Sequence, residues 1–320
     1  MKTQNKGLRL FAFLALIIFS FTYTSVSYAK DTVLTDEKSA WLNAHASEIY
    51  FAPEKDFPPL IWSQYGELFG LSKDYFDVIQ QLIDTRFKTL EPRKLDEILH
   101  AVKNNGEKSI ISSRAPTPER QEYLLFTRPY FSSPSIFISS TGKKLTGSQI
   151  EQKQLKVAVG NNFGVHEYLK ERYPKMNIIP FDNDYQVITS VMDKRADIGA
   201  INAASLIYLI KENDFSGIKK VGDTGFISNF SFAVPKDMPE LRNILDDAIE
   251  AIPHDFQKSV LEKWGIDSDE IKAIVSDDSK MIGNNYADKK YVTILVVIVG
   301  LLVLIIEYLI HKYVFKKIKK

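Results

Sequence analysis

TPERQEYLLFTRPY, residues 117–130, sets Arg120 directly behind a Thr-Pro turn and closes on Phe126, Thr127, Arg128, Pro129 and Tyr130. On local chemistry alone, Arg120 reads as a surface residue in the first turns of a helix, paired with Glu119 or Glu122. Arg128 reads as a solvated neighbour. Neither reading assigns a function, so the flanking sequence has to supply the context.

On the N-terminal side, Tyr75, Phe76, Ile79, Leu82 and Ile83 recur at helical spacing, as do Leu95, Ile98, Leu99 and Val102. On the other side a short apolar strand at 156–159 precedes a helix begun by Val165, Tyr168 and Leu169. Residues 177–181 read as strand, Tyr185 to Met192 as helix, 197–201 as a buried strand and 203–210 as helix. This alternation predicts an α/β fold with largely parallel sheets. Leu241, Ile244, Leu245, Ala248, Ile249 and Ile252 line one face of an amphipathic helix over 239–252, and Phe256, Val260 and Trp264 continue into another.

The 320 residues carry a net charge of +1, and no basic stripe interleaves with aromatics, so nucleic acid is not an expected partner. Cysteine is absent, which excludes disulfides, cysteine-ligated metals and a lipid anchor on an N-terminal cysteine. His45, His100, His166, His254 and His311 are scattered without metal-ligand spacing. No Ser/His/Asp order or other catalytic motif stands out, and no cofactor, metal or catalytic residue is expected.

Both ends carry membrane signals. Lys2, Lys6 and Arg9, an apolar run over 10–21, and Ser27-Tyr28-Ala29 have the layout of a secretory signal peptide over 1–29. Residues 291–310 are almost wholly apolar and match the ~20 residues a helix needs to cross a bilayer. Glu307 is the one charge in that stretch and lies near its C-terminal edge, where it can snorkel. The lysines of 311–320 put this tail on the cytoplasmic side. The expected localisation is therefore the bacterial inner membrane, single-pass, with the main domain in the periplasm. Polar residues 269–290 read as a juxtamembrane linker with 271–275 helical. The tail is too short to fold as an effector, which places the effector on another chain or on a part of the gene beyond this sequence.

Several segments together carry a resemblance. They are residues 34–45 (LTDEKSAWLNAH), 54–60 (EKDFPPL), 66–75, 117–130, 194–205 (KRADIGAINAAS) and 231–241 (SFAVPKDMPEL). In this order and spacing, over roughly 34–266, they resemble the bacterial extracellular solute-binding proteins of family 3. These are the periplasmic binding proteins of type 2, or Venus flytraps, and the likeness is nearest to the periplasmic sensor domains of virulence-type sensor histidine kinases. The leading helix at 34–45 points to the sensor lineage. The resemblance implies a two-lobed α/β flytrap over 30–268 plus one C-terminal transmembrane helix. Lobe 1 would cover about 33–138 and 235–268, and lobe 2 about 139–234, with crossovers near 138–142 and 231–236.

The resemblance also implies a site. Arg120 would hold a ligand carboxylate through two parallel N–H···O bonds, the geometry guanidinium suits best. Phe57 would stack on the ligand, and Ser113 would offer its hydroxyl or backbone. Asn161, Asn162, Phe163 and Gly164 would form the lobe-2 loop at a helix start, where free N–H groups favour an anion. Asn202 stands where amino-acid binders place an aspartate for the α-amino group, a departure for which Glu54 would supply the charge. Lys108 for the usual Asp and Asn162 for a common Gly depart further. A small carboxylate is therefore favoured over a plain α-amino acid.

The expected function is a membrane-anchored periplasmic receptor for a small carboxylate or amino-acid-like ligand. It would relay closure to a membrane partner such as a sensor kinase, cyclase or transporter permease. The alternative is a tethered binding protein that delivers solute to an ABC-type uptake transporter. A flytrap-derived, dehydratase-like enzyme is a third reading. It would need a cleft acid such as Glu54, and it is not favoured.

Overall fold

The computed structural model describes residues 33–276 and 281–282. The signal peptide expected at 1–29, the span expected at 291–310, the basic tail and most of 269–290 lie outside the described residues. Among the described residues no helix is long and apolar enough to cross a membrane.

Thirteen strands are described: β1 (Tyr50–Ala52), β2 (Asp56–Phe57), β3 (Ile61–Gln64), β4 (Glu67–Phe69), β5 (Lys88–Thr89), β6 (Ser109–Arg114), β7 (Leu124–Phe126), β8 (Phe131–Ser139), β9 (Lys156–Gly160), β10 (Asn177–Phe181), β11 (Ile198–Asn202), β12 (Ile218–Pro235) and β13 (Met281–Ile282). In lobe 1, β1 lies parallel between β5 and β6, and the C-terminal part of β12 runs antiparallel to β6 and β7. In lobe 2, β9 lies parallel between β10 and β11, and β8 is antiparallel to β11. The first part of β12 completes that sheet beside β8. Parallel strands so covered must bury both faces. The sequence IGAIN of β11 does so, with all of its residues buried.

Among the described strands, β8 and β12 pass between the lobes. They pair antiparallel from Lys219 opposite Ser139 to Phe230 opposite Phe131, with register shifts near Gly222 and Ile227. β12 meets the lobe-1 strand β6 from Ser231 onward, and β8 meets the lobe-2 strand β11 from Ser135 onward. The crossing therefore lies near 130–134 and 228–231, earlier than expected. Both chains run through it as continuous strand, and Pro134 lies within β8 there without ending it. Gly142 follows the end of β8.

Two lobe-1 helices have a clear local reason to begin where they do. Thr35 caps Asp36–His45 by accepting the Lys38 N–H at 3.4 Å, and acidic Asp36 and Glu37 suit the first turn. Lys38 then reaches Asp247 at 2.5 Å, tying this helix to Pro239–Glu250. The helix Leu71–Leu82 begins after Gly70, where φ is +121° and a Cβ would lie 2.4 Å from the Leu60 carbonyl oxygen. Only glycine fits there. Leu241, Ile244, Leu245, Ala248 and Ile249 of Pro239–Glu250 are buried on the face expected from their spacing.

One helix alters the expected lobe boundary. Ser268–Ser276 falls in the segment read as linker, yet Ile271 and Ile274 are buried and it packs on the helix Ala203–Asn213 and on β8. Lys211 holds Glu270 at 2.8 Å, and β13 adds to the lobe-2 end of β12. The chain thus leaves the lobe-1 helices Pro239–Glu250 and His254–Lys263 and docks on lobe 2 before it departs. The short spacing of two isoleucines in a polar stretch is a weak sequence signal for this.

Candidate functional site between the lobes

Arg120 lies on the short helix Pro118–Gln121, which Thr117 starts by accepting the Arg120 N–H at 3.4 Å with Pro118 in the first turn. It is not a surface residue paired with Glu119 or Glu122. Its side chain is 2% exposed and crosses to lobe 2. Nη1 donates to the Ala115 carbonyl at 3.1 Å. Nη2 donates to the Asn162 carbonyl and to Glu167 Oε1, each at 2.5 Å. Nε is buried and has no hydrogen-bond partner among the described residues. Burial pushes the guanidinium pKa down from its ordinary value, and Glu167 opposes that shift.

Beside it, Arg114 at the end of β6 forms a second buried pair, with Glu54. Its Nε also donates to the Ser112 carbonyl at 2.7 Å. Glu54 is 5% exposed, and burial raises its pKa against the pull of Arg114. The Glu54 charge is thus engaged by Arg114 rather than held free for a ligand ammonium.

Phe57 packs on Phe163 of lobe 2 with centroids 4.8 Å apart, and edge-on to Phe230 at 5.9 Å. The Arg114 guanidinium carbon stands 5.9 Å from the Phe57 ring centre. Ser113 adopts φ +57°, and its Oγ lies 2.5 Å from Ser72 Oγ while its N–H donates to the Tyr130 hydroxyl at 3.0 Å. Asn162 adopts φ +56°, and its N–H donates to His166 Nδ1 at 3.1 Å. Left-handed backbone at two non-glycine residues facing one cleft is the kind of strain that clusters at binding sites. Burial lowers the His166 pKa, which suits the neutral ring that accepts this bond.

The helix Gly164–Arg172 starts after Phe163 with no side-chain cap. Gly164 has Phe226 and Ala115 against its backbone, so a Cβ there would lie 2.8 Å from the Phe226 ring. Asn161 is exposed and its N–H donates to the Phe181 carbonyl at 2.6 Å. Asn202 reaches the cleft, but its amide is consumed in capping Ala203–Asn213. Oδ1 accepts the Ala204 N–H at 3.0 Å, and Nδ2 donates to the Ser133 carbonyl at 3.1 Å. Lys108 lies outside the cleft lining, on the surface with Glu48.

The structure brings Phe57, Ser113, Arg120, Phe163, Gly164 and Asn202 around one central cavity of about 20 Å³, with Arg114, Ser135, Ser228 and Phe230. That is room for about one water. Glu54, Asn161 and Asn162 line a neighbouring cavity of about 270 Å³, together with Phe163, which borders both. At its rim Asn183 Nδ2 donates to Asp56 at 2.6 Å and Lys94 pairs with Asp182 at 3.1 Å, both across the lobes. A third cavity of about 430 Å³ lies on the other side of Arg120, between Pro116–Glu119 and Gly164, Glu167, Tyr168 and Phe226. Sequence reasoning missed Arg114 and Glu167. No local signal marks Glu167, which lies 47 positions from Arg120.

Comparison with known proteins agrees with this architecture. Residues 49–267 match the family described as bacterial extracellular solute-binding proteins, family 3. The virulence sensor protein BvgS of Bordetella pertussis is 26% identical over 221 residues, which is 68% of this chain but 17% of that protein. The chain thus spans less than a fifth of that relative. ABC transporter arginine-binding protein 1 of Escherichia coli is 22% identical over 68% of this chain and 91% of its own length. The crystal structure of the periplasmic VFT2 domain of Bordetella pertussis BvgS superimposes with a TM-score of 0.63 at 18% identity, covering 73% of this chain and all of that one. With two α/β lobes, a two-strand crossing and this match over most of its length, the chain belongs to the bacterial extracellular solute-binding proteins, family 3.

Proposed function

We propose that the chain is a membrane-anchored periplasmic receptor that takes a small carboxylate or amino-acid-like ligand between its lobes and relays the lobe movement to a membrane partner. The observation that carries this reading is Arg120. It is a guanidinium buried on one lobe, aimed across a two-strand hinge at an uncapped helix start on the other. A ligand that touches both lobes shifts their equilibrium by its differential affinity for the two arrangements. The ligand class follows from charge. Asn202 is neutral and spent on capping, and Glu54 is spent on Arg114, so neither offers an ammonium a free counter-charge. The exit helix Ser268–Ser276 rides on lobe 2 while the preceding helices ride on lobe 1, which gives lobe movement a mechanical route to the C-terminal segment. The family's sensor and binding relatives support a non-enzymatic role.

A second reading, a tethered binding protein for an uptake transporter, is favoured by the relative matched over 91% of its own length, a transporter arginine-binding protein. Both readings share the ligand site. A thermal-shift panel of amino acids, small carboxylates and aromatic acids tests it. We expect a carboxylate hit in the wild type that disappears in Arg120→Ala while the variant still unfolds cooperatively. A hit of equal strength in Arg120→Ala would remove Arg120 from the site, and a panel without any hit would remove the small-carboxylate reading.

A further inference from the structure

We infer that Glu167 is an internal ligand: its carboxylate occupies the anion face of Arg120 as a latch between the lobes, and an external carboxylate acts by displacing it. The inference rests on the reading of Arg120 as the carboxylate grip and adds how that grip is regulated.

Glu167 is on lobe 2, one turn into Gly164–Arg172, and Arg120 is on lobe 1, so their 2.5 Å bond spans the cleft. The two sides of the pair are unequal. Arg120 is 2% exposed, whereas the Glu167 side chain is 23% exposed, so Glu167 can turn to water while Arg120 cannot, and a carboxylate that takes its place keeps the buried guanidinium paired. The pair is also only half made. Glu167 uses Oε1 on Nη2 alone. Its Oε2, and Nε of Arg120, are both buried and have no hydrogen-bond partner among the described residues. A guanidinium edge offers two parallel donors, and a carboxylate approaching it squarely engages both. An external carboxylate can therefore satisfy Nε as well as Nη2, which the tethered one does not. The latch is strong enough to hold and incomplete enough to be replaced.

Glu167→Ala deletes an acetate-sized group, so acetate is the fitting probe. The chain has no cysteine, and cysteines placed at exposed His100 on lobe 1 and Lys153 on lobe 2 allow labelling for inter-lobe energy transfer in the full chain in detergent. We expect Glu167→Ala to lower the closed-to-open ratio by roughly ten- to a hundredfold, the worth of one charge-assisted bond. Acetate at about 0.1 M, against chloride at equal ionic strength, should restore closure in that variant. Glu167→Gln keeps the shape, fills the space and should show no acetate response. It remains informative if the alanine variant folds poorly, because Gln with full closure and unchanged carboxylate affinity would overturn the proposal. So would an alanine variant that stays closed, or one that opens and ignores acetate. The two readings separate cleanly. A wild-type hit that depends on Arg120 beside an acetate-blind Glu167→Ala sinks the latch alone. Acetate rescue beside a wild type that binds nothing in the panel sinks the receptor reading alone.

Discussion

Asp184 converts the burial of one carboxyl at the lobe seam into a measurable dependence of stability on pH. It lies in the first turn of Asp184–Met192, where a charged carboxylate would ordinarily be welcome. Here it is 3% exposed, its Oδ2 has no hydrogen-bond partner among the described residues, and Glu54 and Asp56 face it with like charge from lobe 1. Burial dominates and pushes its pKa up from 3.8 to about 7. The folded value is the raised one, so between about 3.8 and about 7 the native state holds a proton that the unfolded chain has released. Stability from this group is fully present at low pH and is lost as pH rises through about 7. From about pH 8 down to about pH 5.5 the native state takes up nearly one extra proton, which integrates to a gain of about 2 kcal/mol. Asp184→Asn copies the neutral form, so it should be more stable than wild type near neutral pH and above, and should lack this pH-dependent gain. Denaturant unfolding of both proteins at the two pH values gives the double difference. If wild type and Asp184→Asn gained equally on acidification, the carboxyl would not be buried and charged-disfavoured as described.

Two further substitutions probe the packing around the site. Glu54→Ala removes one partner of a fully buried pair and strands the Arg114 charge, so unfolding free energy should fall by about 3–5 kcal/mol in denaturant titrations, whereas an exposed pair would cost under about 1 kcal/mol. Ile274→Ala, in the exit helix docked on lobe 2, should cost about 2 kcal/mol or more locally and expose the segment after 265 to limited proteolysis while the lobes remain resistant. Equal cleavage in wild type and variant would mean that this helix does not hold the chain to lobe 2.

What could be read from the sequence follows from how far apart the cooperating residues lie. Periodicity is local, so the helix from 239 was legible within a residue or two, because its apolar spacing matches the face it buries, and the strand at 177–181 was legible from its short apolar run. The crossing strands were misplaced because β8 and β12 continue as strand where they change lobes, past Pro134, so no break in the strand marks the place. The exit helix looked like linker because its polar residues outnumber the two buried isoleucines. The Thr-Pro-x-Arg segment and its resemblance led to Arg120 as the candidate carboxylate grip. Its partner was not legible, since Glu167 is 47 positions away and nothing local marks it. The Arg114–Glu54 pair, separated by 60 positions, was hidden for the same reason, and the expectation that Glu54 is free for a ligand failed with it.

A crystal structure of the chain with its strongest thermal-shift hit bears most directly on the claim that Arg120 grips an external carboxylate between the lobes. We expect the ligand carboxylate on Nε and Nη2 of Arg120 at about 2.7–3.1 Å, with Glu167 turned out of the cleft. A hit bound elsewhere, with Arg120 still on Glu167, would contradict it.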